Sequence, residues 1–174
     1  MRVQVQDLLQ RVRATGTCDN ADVELLARNG CLRDEVYRTL LADPQPQDCP
    51  LLCSLLDYEI EEHELHDALS DNMVICAYLL AIQRRVKDAP RLWAAKMANF
   101  STFLGLSTVL LVAGGIDETI AYWEKEKGWF VRRPAASVLS VIKQARAKGN
   151  LEDLGGRLAE IRTYCEKSLN SRIT

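Results

Sequence analysis

The sequence predicts an all-α fold, arranged as stacked helical hairpins or an irregular bundle of about eight to ten helices. Three observations carry this reading. Apolar residues recur at three- and four-residue spacing along most of the chain, which places them on one face of a helix. Helix stops and starts (Gly, Asn-Gly, Asp-x-Pro) punctuate these stripes at short intervals. The strand signal, period-2 alternation bounded by hairpin turns, is absent.

The elements follow in order. Val5, Leu8, Leu9 and Val12 form the first stripe, stopped by Gly16. Asp19 or Asn20 can cap a short helix with Val23, Leu25 and Leu26, ending at Asn29-Gly30. Leu32, Val36, Leu40 and Leu41 make the next, closed by Asp43-Pro44-Gln45-Pro46. Asp48 can cap a helix opened by Pro50 and running through Leu52, Leu55 and Leu56. A separate acidic helix, or a pair of helical turns, is expected from about Tyr58 to Leu69.

Ser70 or Asp71 can cap a long apolar helix with Val74, Ile75, Tyr78, Leu79 and Ile82. Asp88 is placed to cap another, with Pro90 in its first turn and Leu92 and Trp93 inward. Met97 to Ile116 is an uncharged run about as long as a membrane span. Its Asn99, Ser101, Thr102, Ser107 and Thr108, and its glycines at 105, 114 and 115, argue against insertion. It reads as a helix end, a turn at Leu104–Ser107 and a short buried helix, Thr108 to Ala113, in the middle of the core. Asp117 starts a helix through Ile120 and Trp123 ending at Gly128, and Pro134 opens one through Val138 and Ile142. The last runs from Leu151 to about Leu169. Its Leu151, Leu154, Leu158, Ile161 and Cys165 would suit a coiled-coil seam, but docking as the closing helix of its own domain is the stronger reading.

The 174 residues, 48% apolar and 26% charged, suit one globular domain covering the whole chain. The opening Met1-Arg2-Val3-Gln4-Val5 shows no apolar signal region, so the expectation is a cytoplasmic protein whose six cysteines are mostly buried thiols. A net charge of −2 argues against general nucleic-acid binding.

Asp48-Cys49-Pro50-Leu51-Leu52 and Asp88-Ala89-Pro90-Arg91-Leu92 share Asp-x-Pro-x-Leu at an offset of forty residues, and Pro134 lies forty-four beyond Pro90. On these residues the chain resembles HEAT-type helical-hairpin repeats, whose period is ~40–47 residues. The resemblance covers about half the chain and implies a curved stack of hairpins of the kind that binds other proteins.

Charge is unevenly distributed. Residues 1–90 hold nine Lys and Arg against sixteen Asp and Glu, and residues 91–174 hold thirteen against eight. Between Thr39 and Gln83 there is no Lys or Arg, and seven acids crowd into one stretch: Asp57, Glu59, Glu61, Glu62, Glu64, Asp67 and Asp71. Like charges at i,i+4 cost a few tenths of a kcal/mol per pair. The acids are read either as a docking face for a basic partner, or as a face that is solvated or neutralised by the chain's own basic half. Trp129, Phe130, Arg132 and Arg133, between a helix end and the helix opened by Pro134, are further partner-binding candidates because Trp and Arg are favoured hot-spot residues.

Chemical motifs are weak. His63-Glu64-Leu65-His66 falls one residue short of the zinc-protease helix spacing. Cys49, Cys53, His63 and His66 are the right ligand types for zinc, at spacings shorter than a finger uses. No nucleophile elbow, phosphate loop or dinucleotide fingerprint occurs. The leading expectation is therefore a non-catalytic protein-binding module without cofactor, monomeric or weakly dimeric, touching neither nucleic acid nor membrane. Its acidic face would dock a basic partner, as an immunity-type neutralising protein does. The alternative is a small metal protein or enzyme centred on Cys49, Cys53, His63 and His66.

Overall fold

A computed structural model describes residues 2–125 and 132–172, and the side chains of all of these except 132–135. Among the described residues the regular structure is eleven α-helices and two 3-10 turns, with no strand. The helices are α1 (Arg2–Thr15), α2 (Asn20–Arg28), α3 (Gly30–Ala42), α4 (Cys49–Leu65), α5 (Asp71–Ala81), α6 (Ala89–Met97), α7 (Phe100–Gly105), α8 (Thr108–Leu111), α9 (Ile116–Lys125), α10 (Arg132–Ala147) and α11 (Leu154–Ser171).

Local chemistry accounts for most boundaries. Gly16, at φ +67°, takes the left-handed position that ends α1, and its N–H donates to Val12 O. Asn29 serves two helices at once: its N–H closes α2 on Leu25 O, and its side chain accepts from Leu32 N to start α3. Ser70 caps α5 by accepting from Met73 N. Asn99 caps α7 in a reciprocal box with Thr102. Asp153, at φ +51°, caps α11 through Gly156 N. A Cβ on residue 156 would lie 2.1 Å from Asp153 Oδ2, so the cap requires glycine there.

Several elements differ from expectation: α10 starts at Arg132 rather than at Pro134, α11 at Leu154 rather than at Leu151, and two stretches are organised differently. The stretch from Tyr58 is not a separate element: α4 is one continuous helix, because Leu55, Leu56, Glu59 and His63 keep a single 3–4 stripe facing inward. The uncharged run from Met97 is only half core. Leu106 and residues 109–113 are buried, but Met97, Phe100 and Leu104 point outward, with Phe100 69% and Leu104 66% exposed. The reason is that α7 turns Thr102 inward, which places residues 100 and 104 together on its outer side. No described helix is long and apolar enough to cross a membrane.

The core forms around α5, in which Met73 and every residue from Ile75 to Ala81 are buried. A helix apolar on all sides must be surrounded, and α3, α4, α6, α8 and α11 all pack against it. Neighbour relations run α2–α4–α6 on one side and α3–α5–α8–α10 on the other. The last helix, α11, lies against α3, α5 and α8 with Leu158, Cys165 and Leu169 buried, so its apolar seam closes its own core.

The two Asp-x-Pro segments share one local design. Each is a 3-10 turn, Pro46–Asp48 or Val86–Asp88, leading into a helix with Pro at its second position. Each holds a buried Asp against an arginine: Asp48 to Arg13 at 2.7 Å and Asp88 to Arg85 at 2.7 Å. Neither Asp makes the side-chain cap that sequence suggests. Asp48 instead accepts from Gln45 N and from Arg13, tying α1 to the turn.

Candidate functional site

The acidic stretch divides into two groups once the chain folds. Asp57, Glu59 and Asp71 are occupied internally. Arg91 of α6 spans both oxygens of Asp57 at 2.6 and 3.0 Å. Asp71 accepts from Ser168 at 2.6 Å and from the Tyr164 hydroxyl and faces Arg172, and these hydrogen bonds hold its carboxyl below its ordinary value. Three of the seven acids thus pin α4 and α5 to their neighbours, and two of the arginines come from the basic second half.

Glu59 is the most unusual of them. It is 4% exposed, and burial raises its carboxyl above the ordinary range, opposed by Arg33. Its Oε2 accepts from Ser70 at 3.1 Å, and its Oε1 lies 3.7 Å from the Arg33 guanidinium. Arg33 Nε is buried without a hydrogen-bond partner among the described residues. His63 lies one turn on. Its Nδ1 donates to Glu59 O at 2.6 Å and its Nε2 accepts from Ser70 N at 3.0 Å, which assigns the proton to Nδ1. These groups floor a cleft of about 340 Å³ whose wall includes Tyr58, Glu62 and His66. The polar atoms of His63 are thus committed to joining the end of α4 to the start of α5.

Glu61, Glu62, Glu64 and Asp67 form the second group. All four are exposed and none takes part in a salt bridge among the described residues. A second cleft of about 320 Å³ between α2 and α4 is lined by Glu61 together with Glu24, paired with Arg28 at 3.7 Å, and Asp57, paired with Arg91. The rim thus carries the negative potential that the fold leaves uncompensated.

Beside it lies an apolar surface that sequence reading missed. Leu65 is 75% exposed, and Met97, Phe100, Phe103 and Leu104 are also exposed. Asn99 brings the two segments together: its side-chain NH2 shares its two hydrogens among the carbonyls of His63, His66 and Ala68, all 2.8–3.0 Å away, binding the start of α7 onto the end of α4. Ser101 donates to Asp67, and Leu69 packs where a Cβ on Gly105 would intrude. Buried Lys96 anchors the other end by donating to Phe103 O and Leu106 O. The available signal was Phe100 and Leu104 at i,i+4 on a helix of only six residues, with Thr102 the inward group.

The metal candidates do not converge. Cys49, Cys53 and His63 sit along one helix, where ten residues at 1.5 Å rise separate Cys53 from His63 by ~15 Å. Among the described residues no group of three or more His, Cys, Asp and Glu side chains is placed to hold a metal. The cysteines are unbridged thiols. Burial pushes Cys49 up to about 11 and raises Cys53, so neither is primed as a thiolate. Trp129 and Phe130 lie outside the described residues, and Arg132 and Arg133 begin α10 with side chains outside them as well.

Comparison with protein-family models, curated proteins and solved structures finds no match to this chain.

Proposed function

We propose that this protein is a non-catalytic binding module of helical hairpins that docks a basic partner protein through the acidic end of α4. One observation carries the reading: the fold neutralises Asp57, Glu59 and Asp71 with its own arginines yet leaves Glu61, Glu62, Glu64 and Asp67 exposed without ion pairs among the described residues. Surface acids of this kind accelerate association with a basic partner and set its orientation more than they add raw affinity. The neighbour order α2–α4–α6 and α3–α5–α8–α10, and the shared design of the two Asp-x-Pro turns, support the hairpin-stack form of the module. A neutralising role of immunity type, toward a basic enzyme, is the particular version of this function that the charge favours.

The test is capture from the source cell's lysate at low salt with stepwise salt elution, followed by a binding assay with the purified eluate. The expected result is a stoichiometric basic protein whose binding is lost with Glu61→Lys/Glu62→Lys/Glu64→Lys. Undiminished binding by that variant would refute the assignment of the acidic face. Loss of the partner's own activity on binding would support the immunity-type role, and unchanged activity would remove it.

A further inference from the structure

Resting on that reading, we infer that the partner element docked here is a basic amphipathic helix whose apolar side covers Leu65, Met97, Phe100 and Leu104. The acidic rim by itself would select only positive charge. The ridge beside it is apolar, and its residues are held in place by internal contacts on both sides. Asn99 fastens the start of α7 to the end of α4, and Lys96 of α6 holds the far end of α7 through Phe103 O and Leu106 O. Phe100 and Leu104 thus stand as neighbours on a fixed helical turn. Large apolar side chains held outward in one patch are what interfaces bury at their centre.

Next to the ridge, under Gly105, opens an apolar cleft of about 260 Å³ walled by Leu69, Val74, Leu110, Ile161 and Tyr164. It offers a socket for one large apolar anchor of the docked element. The charge lies on one flank, with Glu61 and Glu64 on the outer stripe of α4 beside Leu65, and Asp67 at the foot of α7. An occupant must therefore present an apolar stripe bordered by Lys or Arg. A helix does so at i, i+3 and i+4, and no described strand edge is present for an extended peptide to pair with.

Charge complementarity also separates this occupant from the others. A second copy paired ridge to ridge would bring a like-charged rim against the first, and an anionic membrane surface would repel it.

The experiment uses the full chain and three fluorescein-labelled 18-residue probes, read by anisotropy at low and physiological salt. One alternates Leu and Lys at helical spacing, one replaces its Leu with Ser, and one replaces its Lys with Glu. The Leu/Lys probe is expected to bind at least ten-fold more tightly than the Ser/Lys probe, and the Leu/Glu probe not to bind. Phe100→Ser/Leu104→Ser is expected to remove that ten-fold advantage and leave Ser/Lys binding as it was. Glu61→Lys/Glu64→Lys/Asp67→Lys is expected to abolish binding of both basic probes. If the Phe100→Ser/Leu104→Ser protein keeps the full advantage, the helix inference fails while the acidic docking face stands. If charge reversal leaves all binding unchanged, the docking face itself fails. Sedimentation showing a dimer that the serine pair dissolves would assign the ridge to a second copy and overturn the inference. A native chain that pellets with vesicles of anionic lipid, through Phe100 and Leu104, would transfer the ridge to a membrane and likewise overturn the inference.

Discussion

Lys96 gives the sharpest test of the structure beneath the exposed apolar ridge of α7. The residue is 5% exposed, and its ammonium faces two backbone carbonyls and the Phe103 ring at 5.2 Å and makes no ion pair with a carboxylate among the described residues. Burial lowers its pKa from 10.5 to about 8. A neutral amine keeps two N–H groups, enough to serve both carbonyls, so losing the proton costs neither hydrogen bond. Below pH 8 both folded and unfolded chains hold the proton, and the native state bears the whole cost of the buried charge. Between pH 8 and 10.5 the unfolded chain binds more protons than the folded one, so this group makes stability rise with pH. At 1.36 kcal/mol per pH unit the full gain is ~3 kcal/mol, of which ~2 kcal/mol accrues between pH 7 and 9.5. Buried thiols act in the opposite sense. Cys49 and Cys165, pushed up to about 11 and about 12, make the native state lose stability as pH rises above 9. The informative quantity is therefore the difference between the native protein and Lys96→Met, taken from urea unfolding at a series of pH values. The native protein is expected to gain ~2 kcal/mol on the variant from pH 7 to 9.5. A flat difference would mean that the two carbonyls and the ring hold the proton on Lys96 despite burial.

Further expectations follow from single contacts. Asp48→Ala leaves Arg13 and Gln45 N without their acceptor and is expected to destabilise by ~3 kcal/mol in urea unfolding. Asp88→Ala breaks a pair only three residues apart and should cost less than half of that, so equal costs would contradict the long-range role given to Asp48. Asn99→Ala removes three carbonyl contacts and a helix cap. A loss of ~2–3 kcal/mol is expected, with hydrogen exchange rising first in residues 100–105. Thiol titration of the native protein should label exposed Cys31 first and reach Cys76 and Cys165, both fully buried, only on unfolding. Rapid labelling of Cys76 in the folded state would contradict the packing around α5.

The all-α class, the caps at Ser70 and Gly16 and most of the inward stripes were legible in the chain, because they depend on residues within one or two turns of each other. Helical periodicity states which residues share a face, and for α1, α3 and α5 that face is the core. Periodicity does not say whether an apolar face finds a partner. Leu110 and Phe100 belong to the same uncharged run, yet one is core and the other is surface, because α8 meets α5 and α7 turns its other side inward. Charge behaved in the same way. Composition alone located the seven acids, and the electrostatic excess that motivates a docking face was visible from counting. Which of them are spent inside the fold depended on Arg33, Arg91 and Arg172, the last 101 residues beyond Asp71 in the chain. Ion pairs and exposed patches are set by distances in space, which a local pattern does not encode. The chain by itself therefore determined the helices and the sign of the charge, and tertiary packing decided which four acids and which apolar ridge stay exposed.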